Sequence, residues 1–391
     1  MSGGREFDVA IVGASLAGST AATLLGRAGA RVALIESHAD SCAFKRVCTH
    51  YIQGSAAPVL ERLGALDVIE RVGGVGQSLD IWTRYGWVRS HELEHSGWNI
   101  RREKLDPLLR GIASCTEGVE LLLGQTVVDL RDGGVVTRDR AGEERHIGAQ
   151  LVVGADGRDS TVAKLAQLPE KVRPNNRFGY WGYFRDLHAG GNFWLTEPTV
   201  AYTFPTDGGL TLLACLLTKD NLPEFKADPE AALRRVFEGL PDAPPLNGAK
   251  LVSPMLGKLE VPNISRRVTA PGLALVGDAA MASDPLWGVG CGWALQSAEW
   301  LADALTDDAN LERALKAYRR THRRRLAAHH AMTSDFSTGR PLNVGERMLF
   351  KAATRDREVA RRMQLVGERW ITPRRLMTPR TLARVMRVAA G

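Results

Sequence analysis

The sequence has little cysteine, and none of it is paired at metal or redox spacing. The five cysteines (Cys42, Cys48, Cys115, Cys215 and Cys291) are scattered, which argues against a zinc site, a thioredoxin-like CxxC or a disulfide framework. They read as reduced thiols of a reducing compartment. No apolar run approaches the ~20 residues that cross a bilayer. The start carries no leader pattern either: Met1 to Glu6 run straight into an apolar strand, without a basic n-region and an apolar h-region. A cytoplasmic protein with no integral membrane segment is therefore expected. Internal repeats and low-complexity linkers are missing, and His329-His330 has no third ligand at metal spacing, so no metal is expected.

What is present is a long chain of ordinary globular composition. Its 391 residues are 44% hydrophobic and 24% charged, enough for two or three packed domains. The net charge of +7 is uneven: residues 311–391 hold 20 Lys/Arg against 6 Asp/Glu, more than the whole excess. Such a surplus attracts nucleic acid or an anionic membrane. The interleaved aromatics or known module of a nucleic-acid binder are lacking. Solvated basic helix faces are the better reading, and no nucleic-acid partner is expected.

Phe7 to Val12 is an apolar run of strand length ending at Gly13; a small-residue helix spans about Ala17 to Ala28, and Arg31 to Glu36 is a second apolar strand. Strand, glycine turn, helix and strand within ~30 residues make a βαβ unit and imply a parallel sheet. Further β-rich stretches fall between Leu79 and Glu94 and between Phe178 and Leu217, and the chain is almost wholly helical from about Ala294. The pattern predicts a discontinuous α/β cofactor domain, interrupted twice by segments that build a separate sheet.

Three motifs carry chemistry. Gly13-Ala14-Ser15-Leu16-Ala17-Gly18 is a GxSxxG dinucleotide fingerprint. Gly13 permits the tight turn, small Ser15 allows close approach of a pyrophosphate, and Gly18 lets the helix pack on the strand; the helix N-terminus favours negative charge. Glu36 follows Gly13 by 23 positions, near the ~20 expected of a ribose-binding acid. An acid there accepts from a 2′-hydroxyl and repels a 2′-phosphate, so FAD or NAD fits and NADP does not. The second motif, Gly154-Ala155-Asp156-Gly157-Arg158, ends an apolar strand; read alone it is a strand, a turn and a helix cap. In the third, Val276-Gly277-Asp278 ends another strand, and Pro285 to Gly290 lead into a helix whose N-terminus suits the charge on a reduced flavin.

In this order and at these separations the motifs resemble the aromatic-hydroxylase superfamily of flavoproteins, that is, the class A FAD-dependent monooxygenases with their geranylgeranyl reductase and flavin halogenase relatives. The resemblance covers about Phe7 to Leu305. It implies an α/β fold: a GR2-type Rossmann-like FAD-binding domain with an inserted β-sheet substrate domain and a helical C-terminal tail. The FAD-binding domain would comprise residues 1–75, 100–170 and 265–330, the substrate sheet 76–99 and 171–264, and the basic tail 331–391. Carried over, Gly13, Ser15, Leu16, Ala17 and Gly18 would hold the FAD pyrophosphate and Glu36 the adenosine ribose. Arg102, in Arg102-Glu103-Lys104-Leu105, would reach the FAD, as would Arg46 from its loop. Asp156 matches an element associated with both FAD and NAD(P)H. Asp278 would hold the ribityl chain, and Pro285, Gly288 and Gly290 would line the flavin ring. The Phe204 to Gly208 turn resembles a family feature at the end of a substrate-sheet strand.

Trp287 stands where many relatives have a smaller residue beside the flavin. No Trp-x-Trp-x-Ile-Pro run marks a tryptophan-type halogenase, and no second GxGxxG is present, so NAD(P)H would bind transiently. His50 and Trp287 are the candidate catalytic residues. His50 is either an acid/base near the flavin or, with more weight, a loop histidine bonded to backbone. Cys48 reads as a small apolar filler more than as a reactive thiol. Trp82, Trp87, Trp181, Tyr183 and Trp194 line a pocket or fill the sheet core. The leading expectation is a monooxygenase that hydroxylates or epoxidises an aromatic or polycyclic small molecule, with O₂ and NAD(P)H, through a flavin C4a-hydroperoxide, in specialised metabolism. The rivals are a double-bond reductase, a halogenase, and a non-catalytic escort module on the same fold; against the last stands the intact set Glu36, Asp156 and Asp278.

Overall fold

The computed structural model describes residues 6–131 and 133–390, without the side chains of 389 and 390. Strand β1 (Phe7–Val12) is almost wholly buried, as a strand covered on both faces must be. Helix α1 (Leu16–Arg27) follows, with every residue from Leu16 to Gly26 buried. Its Ala, Gly, Ser and Thr residues let it sit tightly among neighbours; a Cβ at Gly26 would come within 2.7 Å of Val119. Strand β2 (Val32–Glu36) completes the βαβ unit. The chain then leaves for a short hairpin, β3 (Asp80–Thr83) and β4 (Gly86–Val88), and returns through α2 (Arg102–Ser114), β5 (Val119–Leu123) and β6 (Glu144–Gly154).

It leaves again for β7 (Arg177–Arg185), β8 (Asn192–Leu195), β9 (Val200–Thr206) and β10 (Leu210–Thr218), and comes back as β11 (Leu273–Leu275) and α3 (Gly290–Asp307). The first sheet has a parallel core, β11-β6-β1-β2-β5, with strand Thr269–Ala270 antiparallel at the β11 edge and strands Gly134–Arg138 and Thr126–Arg131 running on antiparallel from β6. Its register sets Val12 beside Gly154, and Gly154 beside Leu275. The turns carrying Gly13, Glu36, Asp156 and Asp278 therefore all leave its carboxyl edge, where open α/β sheets bind ligands.

The second sheet runs β7-β10-β9-β8-β3-β4. Here β3 pairs in parallel with β8, so the early hairpin and the later strands share one sheet. Central β10 is buried on both faces. Leu212, Ala214 and Leu216 join one apolar cluster; Leu213, Cys215 and Leu217 join the other, which helix residues Leu233 and Phe237 cover. The two sheets are tied by Asp207, which accepts from the Arg101 N–H (2.9 Å) and guanidinium (2.8 Å) and pairs with Lys104 (2.9 Å). Burial opposes the charge on Asp207, but Arg101 and Lys104 outweigh it and bring the pKa down to about 2.

Helix α4 (Leu311–Phe336) is unbroken for 26 residues, so the expected division at 330/331 falls inside a helix. Arg319, Arg320 and Arg323 to Arg325 on it are exposed, as expected of a solvated basic face. Helices α5 (Val344–Ala353), α6 (Arg357–Gly367) and α7 (Pro379–Ala390) pack together through Ala352, Val359, Ala360 and Val385. This region is more than a solvated tail: its inner faces close a cavity against the second sheet. Among the described residues no helix is long and apolar enough to cross a membrane, and no His/Cys/Asp/Glu group could hold a metal ion.

Candidate active site

The fingerprint turn is shaped by contacts that only glycine allows. Gly13 has φ +101°, and a Cβ there would lie 2.6 Å from the Ala155 carbonyl; one at Gly18 would lie 1.7 Å from the Gly13 carbonyl. Above this cradle, α1 has no acidic residue in its first turn and no side-chain cap from Ser15, leaving its first N–H groups to a ligand. Glu36 closes the far side. Its Oε2 accepts from Ala14 N–H (2.9 Å) and its Oε1 from His38 N–H (3.0 Å). Burial would raise its pKa, but those N–H bonds prevail and hold it below the ordinary value.

The rest of the cleft is basic. The buried Arg102 guanidinium forks onto Asp106 (2.6 and 2.9 Å) and donates to Ser15 Oγ (2.6 Å), fixing α2 to the start of α1. Lys45 Nζ pairs with Asp278 (2.8 Å), which burial pushes up and Lys45 pulls down to a net lowered pKa. Cys48 Sγ lies 3.7 Å from Cys291 Sγ and accepts from His50 N–H at 3.2 Å. Its thiol is held well below the ordinary pKa, by Cys291 first, then by His50 and Arg102. A glycine cradle, a bare helix N-terminus, a strand-terminal acid and a lysine–arginine rim fit the pyrophosphate and ribose of FAD.

In the turn before α3, Gly288 has φ +60°, and a Cβ there would sit 2.8 Å from the Tyr51 ring. Beyond it opens a cavity of about 220 Å³ that reaches solvent. The second sheet contributes Phe193, Tyr202 and Phe204, the turn before α3 contributes Leu286 and Trp287, and the C-terminal helices contribute Phe350 and Met363. Trp287 stacks on Phe193 (5.0 Å, 11°) with Phe336 edge-on (5.8 Å, 86°). Tyr51 stacks on Phe204 (5.1 Å, 7°) and gives its hydroxyl hydrogen to buried Glu368, which also accepts from Gly54 N–H (2.7 Å). Burial raises the Glu368 pKa, with the Tyr51 and Gly54 bonds opposing.

The structure places the expected residues unevenly. Gly13, Ser15, Leu16, Ala17, Gly18, Glu36, Arg102 and Asp278 gather about the start of α1, and Trp287 and Gly288 line the cavity, while Pro285 and Gly290 do not. Arg46 is exposed, and its neighbour Lys45 is the residue that reaches Asp278. Asp156 spends its carboxylate locally, on Ser160 Oγ (2.6 Å) and Val162 N–H (3.0 Å) at a helix start. His50 is buried with both ring nitrogens engaged. Nδ1 accepts from Arg102 N–H (3.0 Å), so a neutral ring carries its proton on Nε2, which bonds the Tyr183 hydroxyl.

None of Trp82, Trp87, Trp181, Tyr183 and Trp194 lines the cavity. Trp194, for instance, packs on Phe237 on the far side of the sheet, while its neighbour Phe193 faces in. Sequence reasoning missed Lys45, Tyr51, Glu368 and the helical wall. Lys45 and Tyr51 flank the singled-out Arg46, Cys48 and His50; for the wall, the available signal was apolar spacing beneath the arginines of 344–367.

Residues 6–198 match the FAD binding domain family. Kynurenine 3-monooxygenase of Salinispora arenicola is 28% identical, over 94% of this chain and 87% of its own. Digeranylgeranylglycerophospholipid reductase 1 of Methanothermobacter thermautotrophicus is 27% identical over 73% of each chain. Among solved structures, the flavin-dependent brominase Bmp2 superposes with a TM-score of 0.80 at 15% identity, covering 98% of both chains, a likeness of fold.

Proposed function

We propose that the chain is an FAD-dependent oxidoreductase of the class A flavoprotein monooxygenase superfamily, a reading supported by the FAD binding domain match over residues 6–198 and the likeness to kynurenine 3-monooxygenase, and that it hydroxylates or epoxidises an aromatic or polycyclic small molecule. NAD(P)H is the reductant typical of this class, and FAD, when bound, supplies the electron transfer and oxygen activation. The observation that carries the reading is continuity. The apolar, aromatic cavity is lined by Trp287 and Gly288, and three residues on, Cys291 lies 3.7 Å from Cys48, which Arg102 of the cleft contacts.

In this reading the chain's own residues bind, orient and exclude water. The Gly13–Gly18 turn and Arg102 would hold the pyrophosphate end, Glu36 the adenosine ribose, and the Lys45–Asp278 pair the chain leading to the ring. The N-terminus of α3 would suit the negative charge that a reduced ring carries, which its dipole favours. Trp287 and Phe193, stacked on each other, give the cavity an aromatic wall for a planar molecule. The second sheet and the C-terminal helices keep bulk water from the reacting face. His50, bonded on both nitrogens, positions Tyr183 and the start of α2.

The test is the absorption spectrum of the purified protein, followed through addition of NAD(P)H and then oxygen with a panel of polycyclic phenols. A yellow protein, bleached by NAD(P)H and consuming oxygen faster with a panel member, is expected. Saturation of an alkene without oxygen would favour the reductase, and a requirement for halide the halogenase. A colourless protein that takes up no added FAD would favour an escort module.

A further inference from the structure

Two of the five cysteines meet in the fold. Cys48 Sγ lies 3.7 Å from Cys291 Sγ, although 243 positions separate them in the chain. The other three do not pair: Cys42 and Cys115 are exposed, and buried Cys215 turns its thiol to the Tyr180 carbonyl (3.8 Å). Cys48 belongs to the loop that carries Lys45 to Asp278, and Cys291 is the second residue of α3. The contact therefore brings the Cys48 sulfur to the N-terminal turn of a helix of 18 residues.

Their surroundings set the two sulfurs apart. Cys48 Sγ accepts from His50 N–H (3.2 Å), and the Arg102 guanidinium reaches it at 3.9 Å. A backbone donor, a cation and a helix N-terminus together favour a thiolate. Cys48 is also the more open of the two, being only partly buried. Cys291 is 5% exposed, and its Cys48 neighbour and burial push its thiol well above the ordinary pKa. One sulfur is thus ready to ionise and partly open; the other is protonated, enclosed and in contact with it.

We propose that Cys48 and Cys291 form a peroxide-reactive dithiol site, in which Cys48 is the attacking sulfur and Cys291 the resolving one. The Cys48 thiolate attacks hydrogen peroxide: an S–O bond forms, the O–O bond breaks, the sulfur gives up an electron pair and hydroxide leaves. Cys291 then attacks the sulfenic sulfur of Cys48. The S–S bond forms, the S–O bond breaks, and the departing hydroxide takes the Cys291 proton away as water. The sulfurs have to close by about 1.7 Å to reach the ~2.05 Å of a disulfide. An ionised thiol without such a neighbour goes on to sulfinic acid, which thiols do not reverse; contact with Cys291 diverts it to a disulfide, which they do. The reaction uses neither flavin nor substrate, so it stands or falls apart from the monooxygenase reading.

The holoenzyme, treated with hydrogen peroxide at neutral pH without NAD(P)H, tests this by peptide mapping after free thiols are blocked in denaturant. A Cys48–Cys291 cross-linked peptide is expected, about 2 Da lighter than its two halves and split by dithiothreitol. In Cys291→Ser, Cys48 should instead gain about 32 Da as sulfinic acid, and in Cys48→Ser, Cys291 should stay a free thiol. Cys48 that remains a free thiol after exposed Cys42 and Cys115 have been oxidised would overturn the proposal. So would sulfinic Cys48 beside an unmodified Cys291 in the wild type, or oxidation of Cys291 in Cys48→Ser. The wild-type map decides the matter even if neither variant folds.

Discussion

Cutting the Glu368 carboxylate should loosen the C-terminal wall of the cavity, and the cost can be worked from two hydrogen bonds. Glu368 is 5% exposed. One oxygen accepts from the Tyr51 hydroxyl and the other from Gly54 N–H at 2.7 Å. Glu368→Ala strands both buried donors, at about 1–3 kcal/mol each, so a loss of about 2–6 kcal/mol is expected. Tyr51→Phe removes one donor and leaves a carboxylate short of one bond, about 1.5–3 kcal/mol. In the double variant the tyrosine donor is no longer stranded, so the combined loss should fall short of the sum by about 1–3 kcal/mol. Urea unfolding of the holoenzyme, followed by tryptophan fluorescence and by protease cleavage within residues 344–376, measures the cycle. Two probes are needed because a chain with more than one core need not unfold in a single step. Losses that add to within about 0.5 kcal/mol would show that Glu368 and Tyr51 do not act as a pair.

Gly18→Ala should abolish stable FAD retention on gel filtration, because its Cβ would lie 1.7 Å from the Gly13 carbonyl beneath a fully buried helix; a variant that keeps one FAD per chain would refute this use of the cradle. Arg102→Lys keeps the charge but loses the fork onto Asp106 and Ser15, so FAD dissociation should accelerate at least about tenfold; an unchanged rate of flavin release in dilution would count against it. Burial holds His322 down to about 4, His329 to about 3 and His330 to about 4, from 6.5. The unfolded chain binds these protons near pH 6.5 and the folded chain does not, so acid favours unfolding. Stability should be complete above pH 6.5 and fall toward pH 4, by about 3 kcal/mol per histidine at 1.4 kcal/mol per unit. Melting temperatures that stay flat between pH 7 and 4.5 would contradict it.

The cofactor half of the molecule was legible because backbone sterics dictate it. A glycine at φ +101° under the Ala155 carbonyl and another within van der Waals contact of the first leave a contiguous mark in the sequence. Side-chain direction leaves a weaker one. Lys45 and Arg46 look interchangeable in a loop, yet only Lys45 turns toward Asp278. Phe193 and Trp194 are adjacent on a strand, and period-two alternation sends them to opposite faces; nothing in the run itself says which face meets the cavity. Asp156 shows how one pattern serves two roles, since here its carboxylate caps the following helix. The cavity wall was least legible. Glu368 meets Tyr51 across 317 positions, and the arginine count of the last helices drew the reading to their outer faces while Phe350 and Met363 face inward.

The central claim is that oxygen from O₂ is delivered to a molecule held in the cavity against the Trp287–Gly288 turn. Turnover of the holoenzyme with NAD(P)H under ¹⁸O₂, on a panel of uncharged polycyclic phenols and ketones, tests it by product mass. The account predicts a product carrying one ¹⁸O atom, formed by the wild type and lost when a tryptophan replaces Ala360 in the cavity wall. A product whose added oxygen comes from water, or one saturated or halogenated with no ¹⁸O, would contradict it.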